Sequence, residues 1–177
     1  VYSLAPMDIS NVVFDTNQVT ANGAGGALYV SGNLIMSNVT FSNNVATGNA
    51  DLKGTGGALV MKSYASDVFA TISNVGFVNN AAYNHANQSA GGGAAYFELP
   101  NAITDAPYAV TLSKVLFEGN GITGDAAGAQ FGGAAVLVSS NTWVYFDQVT
   151  MNNNLATDVN RSGGGAISAY GSVYVSQ

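Results

Sequence analysis

The chain has 177 residues, about one domain's worth, and 47% of them are hydrophobic, ample for a core. Only 8% are charged and the net charge is −6; Lys53, Lys62, Lys114 and Arg161 are the only basic residues, which leaves no footprint for nucleic acid. There is no Cys, which excludes disulfides, thiol catalysis and Cys-based metal centres, and no apolar run long enough for a transmembrane helix.

The first phrase of the chain is Ile9-Ser-Asn-Val-Val-Phe14-Asp-Thr-Asn17. Its apolar positions predict one short strand carrying Met7 and Ile9 and another carrying Val12 and Phe14. A double glycine, Gly25-Gly-Ala-Leu28, then leads into a strand with Leu28 and Val30 inward. This succession returns four times. Leu34 and Met36, then Val39 and Phe41 close on Asn44, and Gly56-Gly-Ala-Leu59 leads to Met61. Ala70 and Ile72, then Val75 and Phe77 close on Asn80, and Gly92-Gly-Ala-Ala95 leads to Phe97. Val110 and Leu112, then Val115 and Phe117 close on Asn120, and Gly132-Gly-Ala-Ala135 leads to Leu137. Val144 and Phe146, then Val149 and Met151 close on Asn154, and Gly164-Gly-Ala-Ile167 leads to Ala169 and a last strand over Val173–Gln177.

Double-glycine copies begin 31, 36, 40 and 32 residues apart, so the sequence is an internal repeat. The phrases are β-branched or aromatic and bounded by Gly and Asn, with no helical stripe. Parity places Leu59 and Met61 inward because Lys62 and Glu98 occupy the opposite face. Met36 and Val39 lie three apart and cannot both face inward on a straight strand. A bend at Ser37-Asn38 and its equivalents is therefore expected, with Asn11, Asn38 and Asn74 in the left-handed region and Lys114 and Gln148 breaking that series. Three short strands per turn, stacked at about 4.8 Å, make an all-β, right-handed parallel β-helix of about five rungs.

Stacking brings equivalent residues together. Phe14, Phe41, Phe77, Phe117 and Met151 should form an internal ladder, and Asn17, Asn44, Asn80, Asn120 and Asn154 an amide ladder. The paired glycines fit a corner too tight for a Cβ. Segments between each ladder Asn and the next double glycine read as loops, and a further variable loop runs from Glu98 to Ala109. Residues 1–177 read as a single β-helix domain, and both ends fall inside a repeat, which predicts a window of a longer chain.

Repeated Gly-Gly-Ala-[Ile/Leu/Val] alternating with Phe-x-x-Asn resembles the polymorphic membrane protein family of chlamydiae and similar surface β-helix proteins. Residues 25–28, 56–59 and 164–167 match the first motif in full, whereas the copies at Gly92 and Gly132 carry Ala in the fourth place. Four Phe-x-x-Asn copies match, and Met151 replaces Phe in the fifth. The resemblance implies an extracellular passenger region that acts as an adhesin, and it supplies no catalytic residue.

Polysaccharide chemistry on a β-helix needs paired carboxylates. Asp15 and Glu118 share one place in the repeat but should lie three rungs apart, roughly 14 Å by strand spacing. His85 is the only histidine and reads as a solvated loop residue. No catalytic, metal or cofactor-binding residue is assigned. Tyr29 and Tyr96 face outward on one strand and Trp143 and Tyr145 on another, while Tyr64, Tyr83 and Tyr108 read as loop residues; aromatic faces suit a sugar or a protein partner. Sequons at Asn38, Asn87 and Asn160 are about as many as chance gives this composition. Asn87 and Asn160 lie in loops and are the better glycosylation candidates, because a glycan at Asn38 would compete with the turn.

The sequence reading is a non-enzymatic, structural or adhesive scaffold, extracellular or at the cell surface. Its expected partners are a host or cell-surface protein or glycan, or further copies stacking end to end. A filament subunit and a polysaccharide lyase or hydrolase of the pectin-lyase-like type are the alternatives.

Overall fold

The computed structural model describes residues 1–20, 23–48, 54–65, 67–84, 91–100, 108–124, 132–157 and 164–176. The strands stack in three sheets, and every pairing is parallel. The first sheet contains Tyr2–Ser3, Leu28–Val30, Leu59–Lys62, Ala95–Glu98, Val136–Val138 and Ile167–Ala169. The second contains Met7–Ser10 with Val13–Asp15, Leu34–Ser42, Ala70–Val78, Val110–Glu118, Trp143–Asp147 with Thr150–Asn152, and Ser172–Ser176. The third contains Gln18–Val19, Val45–Thr47, Ala81–Asn84, Gly121–Gly124 and Leu155–Thr157. One strand from each sheet per turn is the arrangement of a parallel β-helix.

The bend falls where the spacing requires it. Asn11, Asn38, Asn74, Lys114 and Gln148 all have φ between 52° and 56°. Met36 and Val39, Ile72 and Val75, and Leu112 and Val115 are accordingly buried on both sides of the bend. In the three middle rungs the strands before and after it run together as one nine-residue element, because each has a neighbour above and below to carry the ladder of hydrogen bonds through the corner. Thr16, Asn43, Asn79, Gly119 and Asn153 make a second left-handed corner just before each ladder Asn.

Two expectations are corrected. The segments following the ladder Asn are not wholly loops: they open with the third sheet, and Tyr83 is a strand residue within it. Its strands are short and small (Val45-Ala-Thr47, Ala81-Ala-Tyr83), with Ala46, Ala82 and Ile122 inward, too brief for alternation to mark them. The fourth glycine copy is also one residue out of step. Ala95 pairs with Val136 and Phe97 with Val138, so Val136 and Val138 are buried and Leu137 points out. The slip puts two β-branched residues inside, where the expected register would have buried Leu137 and left both valines outside.

The glycine corner has the close approach its sequence implies. Gly56 has φ 58°. A Cβ on Gly57 would sit 2.0 Å from the Gly93 carbonyl oxygen and 2.5 Å from that of Ala81. The backbone of one rung therefore touches the next with nothing between them, which Gly alone permits.

Candidate functional site

Two columns of side chains fix the rung geometry from within. The rings of Phe14, Phe41, Phe77 and Phe117 stack with centroids 4.9 Å apart and planes within 7°, and Met151, in register with Phe117, packs against the same core. Beside them run Asn17, Asn44, Asn80, Asn120 and Asn154. At each step the backbone N–H and the side-chain NH2 of one Asn both donate to Oδ1 of the Asn one rung on, at 2.8–3.0 Å. The second amide hydrogen donates to the carbonyl of the Phe one rung back, Asn44 to Phe14, Asn80 to Phe41, Asn120 to Phe77 and Asn154 to Phe117, at 2.9–3.0 Å. All the amide's donors and acceptors are used in the middle rungs, which lets Asn44, Asn80 and Asn120 be fully buried. The bonds all run in one direction along the stack and polarise one another. This column holds the scaffold and has no face for a ligand.

The exterior is where the rungs differ. On the first sheet Glu98 is in register with Lys62, and Lys62 Nζ lies 2.7 Å from Glu98 Oε2. The Tyr96 hydroxyl donates to the same oxygen at 2.7 Å. Lys62 also sits 5.3 Å from the ring centre of Tyr64, and Tyr64 is 83% exposed. Burial opposes the Lys62 charge, but the hydrogen bonds to Glu98 and Tyr64 outweigh it and hold the ammonium above its ordinary range. Burial, and then Glu98, push the Tyr96 phenol up, so it remains a neutral donor. Lys62 and Glu98 are 36 residues apart, the same offset as Gly56 and Gly92. That equality was the sequence signal for their pairing.

Next to this ion pair a cleft of ≈ 210 Å³ opens, with Ser63, Tyr64, Glu98, Leu99 and Pro100 on one side and Ser139, Ser140 and Asn141 on the other. Its two sides are tied together. The buried Thr142 hydroxyl accepts from the Leu99 N–H and donates to the Leu99 carbonyl, both at 2.9 Å. Asn141 turns through φ 63°, and the Thr142 N–H returns to the Ser139 carbonyl at 3.3 Å.

The chain then enters the second sheet through an aromatic patch. Tyr108 stacks on Tyr145 at 4.9 Å. Tyr174 tilts against Tyr108 at 5.0 Å and against Trp143 at 6.1 Å. The Tyr145 hydroxyl shares a 2.8 Å hydrogen bond with Ser176, and Ser113 and Ser176 both donate to Asp147 at 3.1 Å. Trp143 and Tyr145 point outward, and Tyr108 joins them from the end of the preceding connection. The turn Ser139–Trp143 thus links a polar cleft to an aromatic surface.

The remaining candidates lie apart. Tyr29 points outward and stacks on Tyr2 at 5.0 Å. Asn38 is exposed at the bend, where its Nδ2, the atom a glycan would occupy, donates to Asn11 and its Oδ1 accepts from Asn74. A shallow hollow of ≈ 370 Å³ follows this bend beside Lys114, over the bare Gly76. Asn87, Asn160 and His85 fall outside the described residues. Hydrogen bonds from Ser42 and Asn43 hold the Asp15 carboxyl below its usual range. Register places Asp15 and Glu118 three rungs apart, through Ser42 and Val78. Among the described residues no three Asp, Glu or His side chains converge as a metal site would require, and no helix is long and apolar enough to cross a membrane.

Residues 38–61 match the family model of the Chlamydia polymorphic membrane protein repeat. The matched stretch runs from the bend at Asn38, through Phe41 and the ladder residue Asn44, past the third-sheet strand and the glycine corner, to Met61 in the first sheet. The similarity therefore covers the elements that make a rung close and stack. It stops short of Lys62 and the cleft. Comparison with curated proteins and with solved structures gives no match.

Proposed function

We propose that this chain is a non-enzymatic, surface-displayed β-helical scaffold with an adhesive role, binding its partner along the edge formed by the Lys62–Glu98 cleft and the Tyr108–Trp143–Tyr145–Tyr174 patch. The likeness to a polymorphic membrane protein repeat supports display at a cell surface. The observation that carries the adhesive reading is the aromatic patch. Four rings gather on the outside of a wall whose other outward rows are mostly small and polar, such as Ser10, Ser37, Ser73 and Ser113. Outward aromatics cost solubility and are the side chains that dominate recognition surfaces.

The test is binding of beads coated with the purified chain to a panel of cell surfaces. Replacing Trp143 or Tyr174 by Ala should lower retention at least tenfold, and replacing Tyr83, exposed on the third sheet, should leave it unchanged. Equal retention by all three variants would remove the patch from the reading. Incubation with acidic and neutral polysaccharides, followed by reducing ends and unsaturated products, tests the non-enzymatic part. Turnover abolished by one Asp or Glu substitution would replace the adhesin with an enzyme.

A further inference from the structure

We propose that the cleft beside Lys62 and Glu98 is a subsite for a single neutral pyranose, the terminal residue of a surface glycan. The inference deepens the adhesive reading and rests on it.

Size comes first. At ≈ 210 Å³ the cleft is smaller than the sites that hold drug-sized ligands and fits one ring rather than an extended chain. Its chemistry is that of a sugar-binding site. Tyr64 lines the cleft and is largely exposed despite Lys62 over its ring, so the C–H face of a pyranose can pack against the ring. Glu98 has acceptor capacity to spare, because a carboxylate has about four lone-pair positions and Tyr96 and Lys62 share one oxygen. Ser63, Ser139, Ser140 and Asn141 add hydroxyl and amide groups that both donate and accept. Mixed donors and acceptors beside an aromatic face suit vicinal hydroxyls better than an apolar or a purely ionic ligand.

Charge then selects among sugars. Among the described residues no Lys or Arg lines the cleft, and Lys62 beside it is neutralised by Glu98 at 2.7 Å. A sialic or uronic acid would bring its carboxylate to a lining with no uncompensated positive charge among the described residues, inside a chain of net charge −6. A neutral hexose or N-acetylhexosamine meets no such repulsion. Rigidity completes the case: the Thr142–Leu99 bonds hold the two sides together before any ligand arrives, so little ordering remains to be done on binding.

The experiment is saturation-transfer NMR and calorimetry on the whole chain with the methyl glycosides of glucose, galactose, mannose, N-acetylglucosamine and sialic acid. At least one neutral glycoside should bind with millimolar affinity. Tyr64→Ala and Glu98→Gln should each weaken it tenfold or more, while Tyr83→Ala leaves it unchanged. Tyr64 and Glu98 are both solvent-accessible, so circular dichroism of the variants should match the parent. Absence of transfer from every glycoside, binding insensitive to Tyr64→Ala, or binding confined to the sialoside would overturn the subsite. Cell retention that depends on Trp143 but is not competed by any glycoside sinks this inference and leaves the adhesive reading standing. Glycoside binding without cell retention does the reverse.

Discussion

Asn80→Asp tests the amide ladder with a change of one atom. Asn80 is fully buried. Its Oδ1 accepts from the backbone and side-chain N–H groups of Asn44 at 3.0 and 2.9 Å, and a carboxylate would keep both bonds. Its Nδ2 donates to the Phe41 carbonyl and to Asn120 Oδ1, both at 3.0 Å. In the variant the oxygen replacing Nδ2 would face two acceptors with no hydrogen to offer unless it protonates. Protonation restores one of the two bonds and leaves the other acceptor short of one donor, at about 1–2 kcal/mol. Holding that proton at pH 7 against an unfolded pKa of about 3.9 costs about 4 kcal/mol more, at 1.36 kcal/mol per unit. The variant should therefore lose about 5–6 kcal/mol at pH 7 and only about 1–2 kcal/mol near pH 4. The sign follows from linkage. A carboxyl whose folded pKa is raised binds more protons folded than unfolded between the two values, so stability falls as pH rises through that window. Urea midpoints measured against the parent at each pH cancel the titration of the ten native carboxylates. A difference between variant and parent that stays flat from pH 4 to 7 would mean that Asn80 is solvated and the ladder misdescribed.

Phe77→Ala should cost about 3–5 kcal/mol in urea unfolding, because the ring is buried between Phe41 and Phe117; Tyr29→Ala, outward and stacked on Tyr2 alone among aromatics, should cost about 1 kcal/mol or less, and equal losses would reverse the inward assignment. Gly57→Ala drives a Cβ into two backbone carbonyls and should cost about 3 kcal/mol or prevent folding, whereas Gly76→Ala meets nothing within 4 Å and should be neutral or gain up to about 1 kcal/mol. A Gly57→Ala variant as stable as the parent would refute the close rung contact. Lys114→Asn places the side chain that, glycine aside, best tolerates the left-handed bend at φ 54° and should raise stability by up to about 1 kcal/mol, with a lower thermal midpoint as the contrary result.

Legibility followed repetition. Phe41 and Phe77, or Asn44 and Asn80, were readable because stacking demands the same residue type at the same offset in every rung, so each position is stated several times. The third sheet was not readable: Val45-Ala-Thr47 and Gly121-Ile-Thr-Gly124 share a place but hardly a residue, since the buried side chains there, Ala46, Ala82 and Ile122, come one to a strand. The slip at Gly132 misled for a related reason. Gly-Gly-Ala-Ala occurs in two rungs, yet the valines that follow in one of them decide the register, and a motif match cannot weigh burial that lies downstream.

The same logic explains why the cleft was harder to see than the scaffold. A rung that only closes and stacks can repeat its outward residues, as the Ser10, Ser37, Ser73 and Ser113 row does until Asp147 interrupts it. Lys62, Glu98 and Trp143 each appear once in their rows, and their meaning lies in a neighbour one rung away rather than in a recurring phrase. Selection for the fold acts on the rows that repeat. Recognition needs rows that do not, because a ligand smaller than the stack must find one place on it. The breaks in periodicity are therefore the positions at which binding should be sought, and in this wall they gather on either side of the turn from Ser139 to Trp143.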